Sequence, residues 1–286
     1  MKTSPANVFS AKSKTFLVGE YAVLFGGSAV LLATNPEFKL LVAPKTAAEN
    51  FLTGVSDESA ANKFYLAHAD VFKNLSIGFV DPFKGAGGLG ASSAQFVLLY
   101  KLYLRLSEGK FAANSFLEEY KTLAANGDGS PKPSGADCLT QYYNHSICFD
   151  SHSGSVRKIC WNFPRLDFAI FRTGFKVVTH EHLRKLQPLD IAELESFSSI
   201  VQQSFSDGDE HSLVENVQNF FNVLKKKKLA LEQTSDLVEK FLKHDGVLAA
   251  KGCGAMGADT IIVIFSKERK NSVLEIAKNL GLSTIN

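Results

Sequence analysis

The densest run of small residues in this chain, Gly85-Ala86-Gly87-Gly88-Leu89-Gly90-Ala91-Ser92-Ser93-Ala94, has the composition of an anion cradle. Glycines let the main chain approach a ligand closely. A helix starting just after them presents unpaired N–H groups and the positive end of its dipole, which together suit phosphate. Ser92 and Ser93 add hydroxyls suited to capping that helix, to a phosphate oxygen or to Mg²⁺. The run is neither Gly-x-x-x-x-Gly-Lys-Ser/Thr nor Gly-x-Gly-x-x-Gly. Taken alone, it reads equally as a flexible loop before a serine-capped helix.

Three further segments carry reactive residue types. In Pro133-Ser134-Gly135-Ala136-Asp137 a carboxylate follows a tight turn, where it can accept a proton from an attacking hydroxyl or orient it. The bland alternative is an Asx turn or helix cap. Lys12-Ser13-Lys14 runs into a strand and on to Gly19-Glu20-Tyr21. A lysine there is either solvated or placed to stabilise charge on a transferring group. Lys251-Gly252-Cys253-Gly254-Ala255-Met256-Gly257-Ala258-Asp259 is a second small-residue loop before a strand. His68, His145, His152 and His180 show no metal-ligand spacing.

The elements that must position these groups follow from periodicity and punctuation. Residues 7–42 read as strands joined by tight turns, with Lys39 to Val42 as one of them. Helical spacing covers 57–75, about 92–106 and 113–125. A Gly/Pro/Ser loop over 126–137 leads into CLTQYYNHSICF, and HSICFD with VRKICWNF form a hairpin candidate. DFAIFRTG reads as a strand, and helical patterns follow at about 180–187, 191–206, 209–224 and 230–244. KKKK at 225–228 reads as a solvated turn between two of these helices. Strands then helices without regular βαβ alternation predict an α+β fold. The change of texture after Pro164 sets the expected domains at 1–164 and 165–286.

Bulk composition excludes some classes. With 286 residues the chain has room for two modest domains. The 31 Lys+Arg against 29 Asp+Glu leave a formal charge of +2, which argues against a polyanion-coating, nucleic-acid-binding role. The four cysteines lack a Cys-x-x-Cys pair, as in a reduced intracellular protein. The N-terminal stretch lacks the apolar core of a signal peptide, and IIVIF is far shorter than the roughly 20 residues that span a bilayer. The expectation is a cytoplasmic protein with no membrane partner, a monomer or homodimer.

In order and content, these four segments resemble the signatures of the GHMP kinases, the family of galactokinase, homoserine kinase, mevalonate kinase and phosphomevalonate kinase. AKSKTFLVGEYAVLFGGSAVLLA is similar to the family's first signature, GLGASSA to its phosphate loop, PSGAD to its serine-glycine-x-aspartate segment and KGCGAMGAD to its C-terminal signature. RTGFKVVTHEHL resembles the segment that opens the second domain. The matches span about 11 to 260.

The resemblance implies a ribosomal-protein-S5-like N-terminal domain that binds ATP, a ferredoxin-like C-terminal domain, and a cleft between them where ATP and an anionic small-molecule acceptor meet. Lys14 and Asp137 take the catalytic positions. Gly87, Gly88, Leu89, Gly90, Ala91, Ser92 and Ser93 hold the nucleotide, and Mg²⁺ falls to Ser92 with Glu119, Glu118 and Asp128 being rivals of Glu119. Substrate contacts fall on Lys14, Glu20, Tyr21, Ser134, Gly135, Arg172, Lys251, Gly254 and Ala255. Lys12 and Lys132 lie beside the signatures as further cations. The Gly-Glu-Tyr-Ala-Val-Leu segment and Asp259 resemble kinases acting on phosphomevalonate, whereas PSGAD resembles those acting on mevalonate. Departures are Lys12-Ser13 for Pro-Gly, Ala91 for serine, Cys253 for Thr/Ser, and Met256 and Ala258 for glycines. They keep open a non-catalytic nucleotide- or metabolite-binding regulator, and a related decarboxylase stands third.

Overall fold

A computed structural model of the chain describes residues 7–45, 52–125, 131–177 and 189–285. The helical pattern at about 180–187 and the second half of RTGFKVVTHEHL lie outside the described residues. By contact, the described chain divides into two units. The first holds 7–14, 33–45, 52–125 and 132–144; the second holds 15–32, 131, 145–177 and 189–285. Strands β1 (Asn7–Val18) and β2 (Ser28–Pro44) pair with each other, and each contributes residues to both units. The expected boundary after residue 164 falls inside the second unit.

In the first unit, residues 39–44 of β2 pair antiparallel with β4 (Leu75–Val80), and β3 (Leu52–Thr53) pairs parallel with β4. The helices are α1 (Ala60–Ala67), α2 (Ala69–Phe72), α3 (Ala91–Leu106), α4 (Ala113–Ala124) and α5 (Ala136–Tyr143). Helix α3 buries Phe96 through Tyr100 without a break, as a helix enclosed on most sides must. Its Phe96 ring sits 5.3 Å from Phe64 of α1 and 5.4 Å from Phe116 of α4, forming an aromatic core.

Two readings of this unit are corrected. The helix expected over 57–75 starts at a Ser59 cap, whose hydroxyl accepts from Asn62 N at 3.1 Å, and breaks at His68. Leu75 then opens β4, whose non-local partner β2 overrides the local helical pattern. The second correction is α5, whose Ala136 and Asp137 read from sequence as loop and whose remaining residues carry no expected element. It is short, follows a Gly/Pro turn and contains Thr140, Tyr142 and Tyr143, all weak helix formers.

In the second unit, Ser28–Leu31 pair antiparallel with β5 (Ile147–Asp150), which forms the expected hairpin with β6 (Val156–Lys158). A separate antiparallel sheet has the order β10-β7-β9-β8, from β7 (Leu166–Arg172), β8 (Val247–Cys253), β9 (Thr260–Ser266) and β10 (Ser283–Thr284). Its helices among the described residues are α6 (Ala192–Asp207), α7 (Glu210–Lys226), α8 (Glu232–Leu242) and α9 (Lys270–Asn279). In α7 the buried Leu213, Val217, Phe220, Phe221 and Leu224 recur at helical spacing, and Asp209 caps its start by accepting from Ser212 N at 3.0 Å. Lys225 and Lys226 belong to the last turn of α7 rather than to a turn, and Lys225 pairs with Glu239 of α8 at 2.7 Å. Among the described residues no helix is long and apolar enough to cross a membrane. The mixture of helix and sheet is the expected α+β class.

Candidate active site

Within the first unit, β1 alternates buried Ala11 and Ser13 with half-buried Lys12 and Lys14, so the two lysines share a face. Lys14 N donates to Leu89 O at 3.1 Å, which ties the strand directly to the glycine loop. Leu89 is buried and anchors that loop. Gly90 follows at φ +89°, and a Cβ added there would lie 2.8 Å from Gln141 Nε2 and 3.0 Å from Lys14 Cγ and Cε. Only glycine fits, both for its backbone angle and because Gln141 and the Lys14 stem fill the place of a Cβ. Helix α3 begins one residue later. Ser93 turns its hydroxyl back onto Gly90 O at 3.0 Å, whereas Ser92 is exposed on the first turn. The first-turn N–H groups thus stand beside a lysine, an arrangement that fits a phosphate group.

The second tight turn delivers Asp137. At Gly135, φ +76°, an added Cβ would collide with Leu117 Cδ2 and lie 3.6 Å from Tyr120 Cδ1, so α4 backs the turn. Ser134 Oγ accepts from Ala136 N, the first residue of α5, at 3.3 Å. Half-buried Asp137 accepts from Cys138 N at 3.0 Å. The Cys138 thiol is enclosed, and burial, then the Asp137 charge, push it up, while the Tyr120 hydroxyl and the Lys14 charge pull the other way. Lys14 and Asp137 therefore act with opposite sign on the same buried thiol. Burial likewise raises the Tyr120 hydroxyl.

Sequence reasoning missed Gln141 and Asn144. Gln141 donates to Lys12 O at 3.1 Å and to Gly90 O at 3.0 Å, and Asn144 Oδ1 accepts from Lys12 N at 2.8 Å. The signal was Gln141 four residues beyond Asp137, on one helical face once α5 is recognised. Lys101 Nζ donates to the carbonyls of Ser10 and Gln141 at 3.4 and 3.3 Å, and burial lowers its pKa to about 8, opposed by Glu37.

The expected metal pair, Ser92 and Glu119, fares differently at its two ends. Glu119 on α4 is engaged by His68 at 3.1 Å, and the His68 ring rests 4.3 Å from Tyr103. Glu118 is exposed, and Asp128 lies outside the described residues. No group of three or more His, Cys, Asp or Glu suited to a metal ion occurs among the described residues. Mg²⁺ commonly takes one or two carboxylates, with phosphate oxygens and water supplying the rest.

Other expected substrate contacts fall in the second unit. Lys251, expected at an anionic acceptor, is instead wholly enclosed, with Nζ 2.7 Å from Glu20 Oε1 and 3.3 Å from Phe16 O. Burial works against its charge, but Cys253 and Glu20 outweigh it and hold its pKa above the ordinary lysine value. Glu20 is spent on this pair, and its Oε2 is buried without a partner. Tyr21 is buried too; its hydroxyl accepts from Met256 N at 3.1 Å and donates to Leu229 O at 3.4 Å, and burial raises its pKa. The Tyr21 hydroxyl thereby ties the loop at Met256 to Leu229. Met256 adopts φ 51°, an uncommon angle for a side-chain-bearing residue. Arg172, half-buried, ends β7 opposite Thr260.

No protein-family model and no curated relative matches the chain by sequence. Solved structures do match by fold. Streptococcus pneumoniae phosphomevalonate kinase in complex with phosphomevalonate and AMPPNP superposes with a TM-score of 0.81 at 15% identity, covering 98% of each chain. Methanococcus jannaschii mevalonate kinase gives 0.77 at 15% identity, covering 98% of this chain and 97% of that one. Lactococcus lactis galactokinase complexed with galactose gives 0.75 at 13% identity, over 99% and 93%. The chain has the two-domain fold of these GHMP kinases along nearly its whole length.

Proposed function

We propose that the protein is an ATP- and Mg²⁺-dependent kinase of the mevalonate pathway, acting in the cytoplasm on the phosphate of phosphomevalonate. The observation that carries this reading is the meeting of Lys14, the Gly90 turn and the Asp137 helix within one unit. The main-chain N–H groups from Gly87 to Ser93 would hold the nucleotide phosphates. Lys14 would neutralise charge building on the transferred group, and Asp137 would orient the attacking phosphate oxygen and take any proton that oxygen carries; with mevalonate as acceptor it would take the proton of the attacking hydroxyl. Ser92, exposed at the start of α3, would offer its hydroxyl to Mg²⁺, which when bound neutralises phosphate charge. Mevalonate is the alternative acceptor, favoured by the PSGAD segment. A non-catalytic regulator is the third reading, favoured by the altered loop around Met256.

ATP turnover against mevalonate, phosphomevalonate, diphosphomevalonate, homoserine and galactose separates these readings. Phosphomevalonate is expected to give the highest kcat/KM. Preference for mevalonate moves the assignment to the alternative. Nucleotide binding without turnover of any acceptor leaves the regulator.

A further inference from the structure

Gln141 is a buried amide whose donors are both used in one place. It is fully enclosed on α5, and Nε2 donates to Gly90 O and to Lys12 O. Turning the amide over would set its oxygen against two carbonyls, so the hydrogen bonds define the orientation. Its Oε1 is buried without a partner. An apolar side chain of similar volume would fill the space without that desolvation cost, so packing alone gives no reason for a glutamine. The attachment of α5 to β1 does not need it either, because Asn144 already accepts from Lys12 N and Asn144 Nδ2 donates to Ser10 O at 3.4 Å. What Gln141 adds is the link from α5 to Gly90, the last carbonyl before α3. That carbonyl also receives Ala94 N and Ser93 Oγ.

We propose that Gln141 is a positioning residue for nucleotide binding. Its amide holds the turn at Gly90, and so the N–H groups opening α3, in register with the Lys12–Lys14 strand and the helix that carries Asp137. The inference rests on the kinase reading above. Without the amide the Gly90 carbonyl keeps only its bonds within the first turn of α3, and that turn loses its tie to α5 and to Lys12 O.

The test is direct binding of AMPPNP with Mg²⁺, followed by calorimetry, for the wild type and for Gln141→Met, which keeps side-chain length and removes both donors. The AMPPNP Kd is expected to weaken ~10-fold, the scale of one hydrogen bond left unmade in a buried site, while the phosphomevalonate Kd stays within about twofold. A residue that served stability alone would reduce the fraction of competent protein and leave Kd unmoved, so an AMPPNP Kd within about twofold of wild type overturns the proposal. If Gln141→Met does not fold, Gln141→Asn, one methylene too short to reach both carbonyls, decides in its place. A Kd weakened by about threefold or more supports the proposal there, and an unchanged Kd rejects it. A wild-type chain that does not bind AMPPNP removes the kinase reading and this inference together. A wild type that binds, beside an indifferent Gln141→Met, removes only the inference.

Discussion

Asp137 and Lys251 had similar standing as polar residues in glycine turns, yet their surroundings are opposite. Asp137 stays half-buried at a helix start beside the field of Lys14, whereas Lys251 is sealed against Glu20. Asp137→Asn is expected to leave ATP affinity within a few-fold and lower turnover by ~10²-fold or more, as for positioned acid–base groups; unchanged turnover takes Asp137 out of the mechanism. Lys251→Met is expected to cost about 3–5 kcal/mol in denaturant unfolding, because it strands a buried Glu20 charge. Most of that loss should return in the Glu20→Gln/Lys251→Met double variant. If Lys251→Met instead unfolds like wild type and raises the acceptor KM, the lysine reads substrate after all. Lys101 makes a pH prediction. The folded protein releases its proton near pH 8 and the unfolded chain near 10.5, so between these values the unfolded state binds more protons and stability rises with pH. The rise is of order 3 kcal/mol by the usual conversion. Urea unfolding of wild type and Lys101→Met at pH 7.5 and 10.5 measures it, and parallel profiles would show that Lys101 is not so perturbed.

Elements act here through the turns between them. The Gly90 turn sets α3 against β1 and α5, because Gln141 donates to its carbonyl and Lys14 N to the Leu89 carbonyl before it. Gly85 lies in the same loop at φ +81° with open space around it. Gly90→Ala and Gly85→Ala therefore share a backbone strain of about 1–2 kcal/mol. Only Gly90→Ala also displaces Lys14 and Gln141, so it alone is expected to raise the ATP KM, by ~10-fold or more, an energy near that of one buried hydrogen bond. Equal KM values for the two variants would detach the turn from nucleotide binding. The helix α5 is also where local sequence was least informative. Five of its eight residues, Asp137, Cys138, Thr140, Tyr142 and Tyr143, have weak propensity, and it forms because Leu117 and Tyr120 back Gly135 while Gln141 and Asn144 lace it to β1.

For the whole molecule, a ligand that binds only the folded chain adds RT ln(1 + [L]/Kd), about 2.7 kcal/mol at a concentration of 100 Kd. AMPPNP with Mg²⁺ is expected to raise Tm by several degrees in a chain of this size, and phosphomevalonate to add a further shift that galactose does not. A Tm indifferent to AMPPNP at millimolar concentration would count against a nucleotide site. The sequence by itself determined the α+β class, the hairpin at 147–158, helices such as α3 and α7, and the four segments rich in chemistry, because periodicity and glycine content are local properties. Tertiary structure alone decided β4, α5 and the burial and partners of individual side chains. Strand pairing, burial and the sharing of a partner are non-local, so a lysine that reads as a substrate cation in sequence becomes half of a sealed ion pair once the chain folds around it.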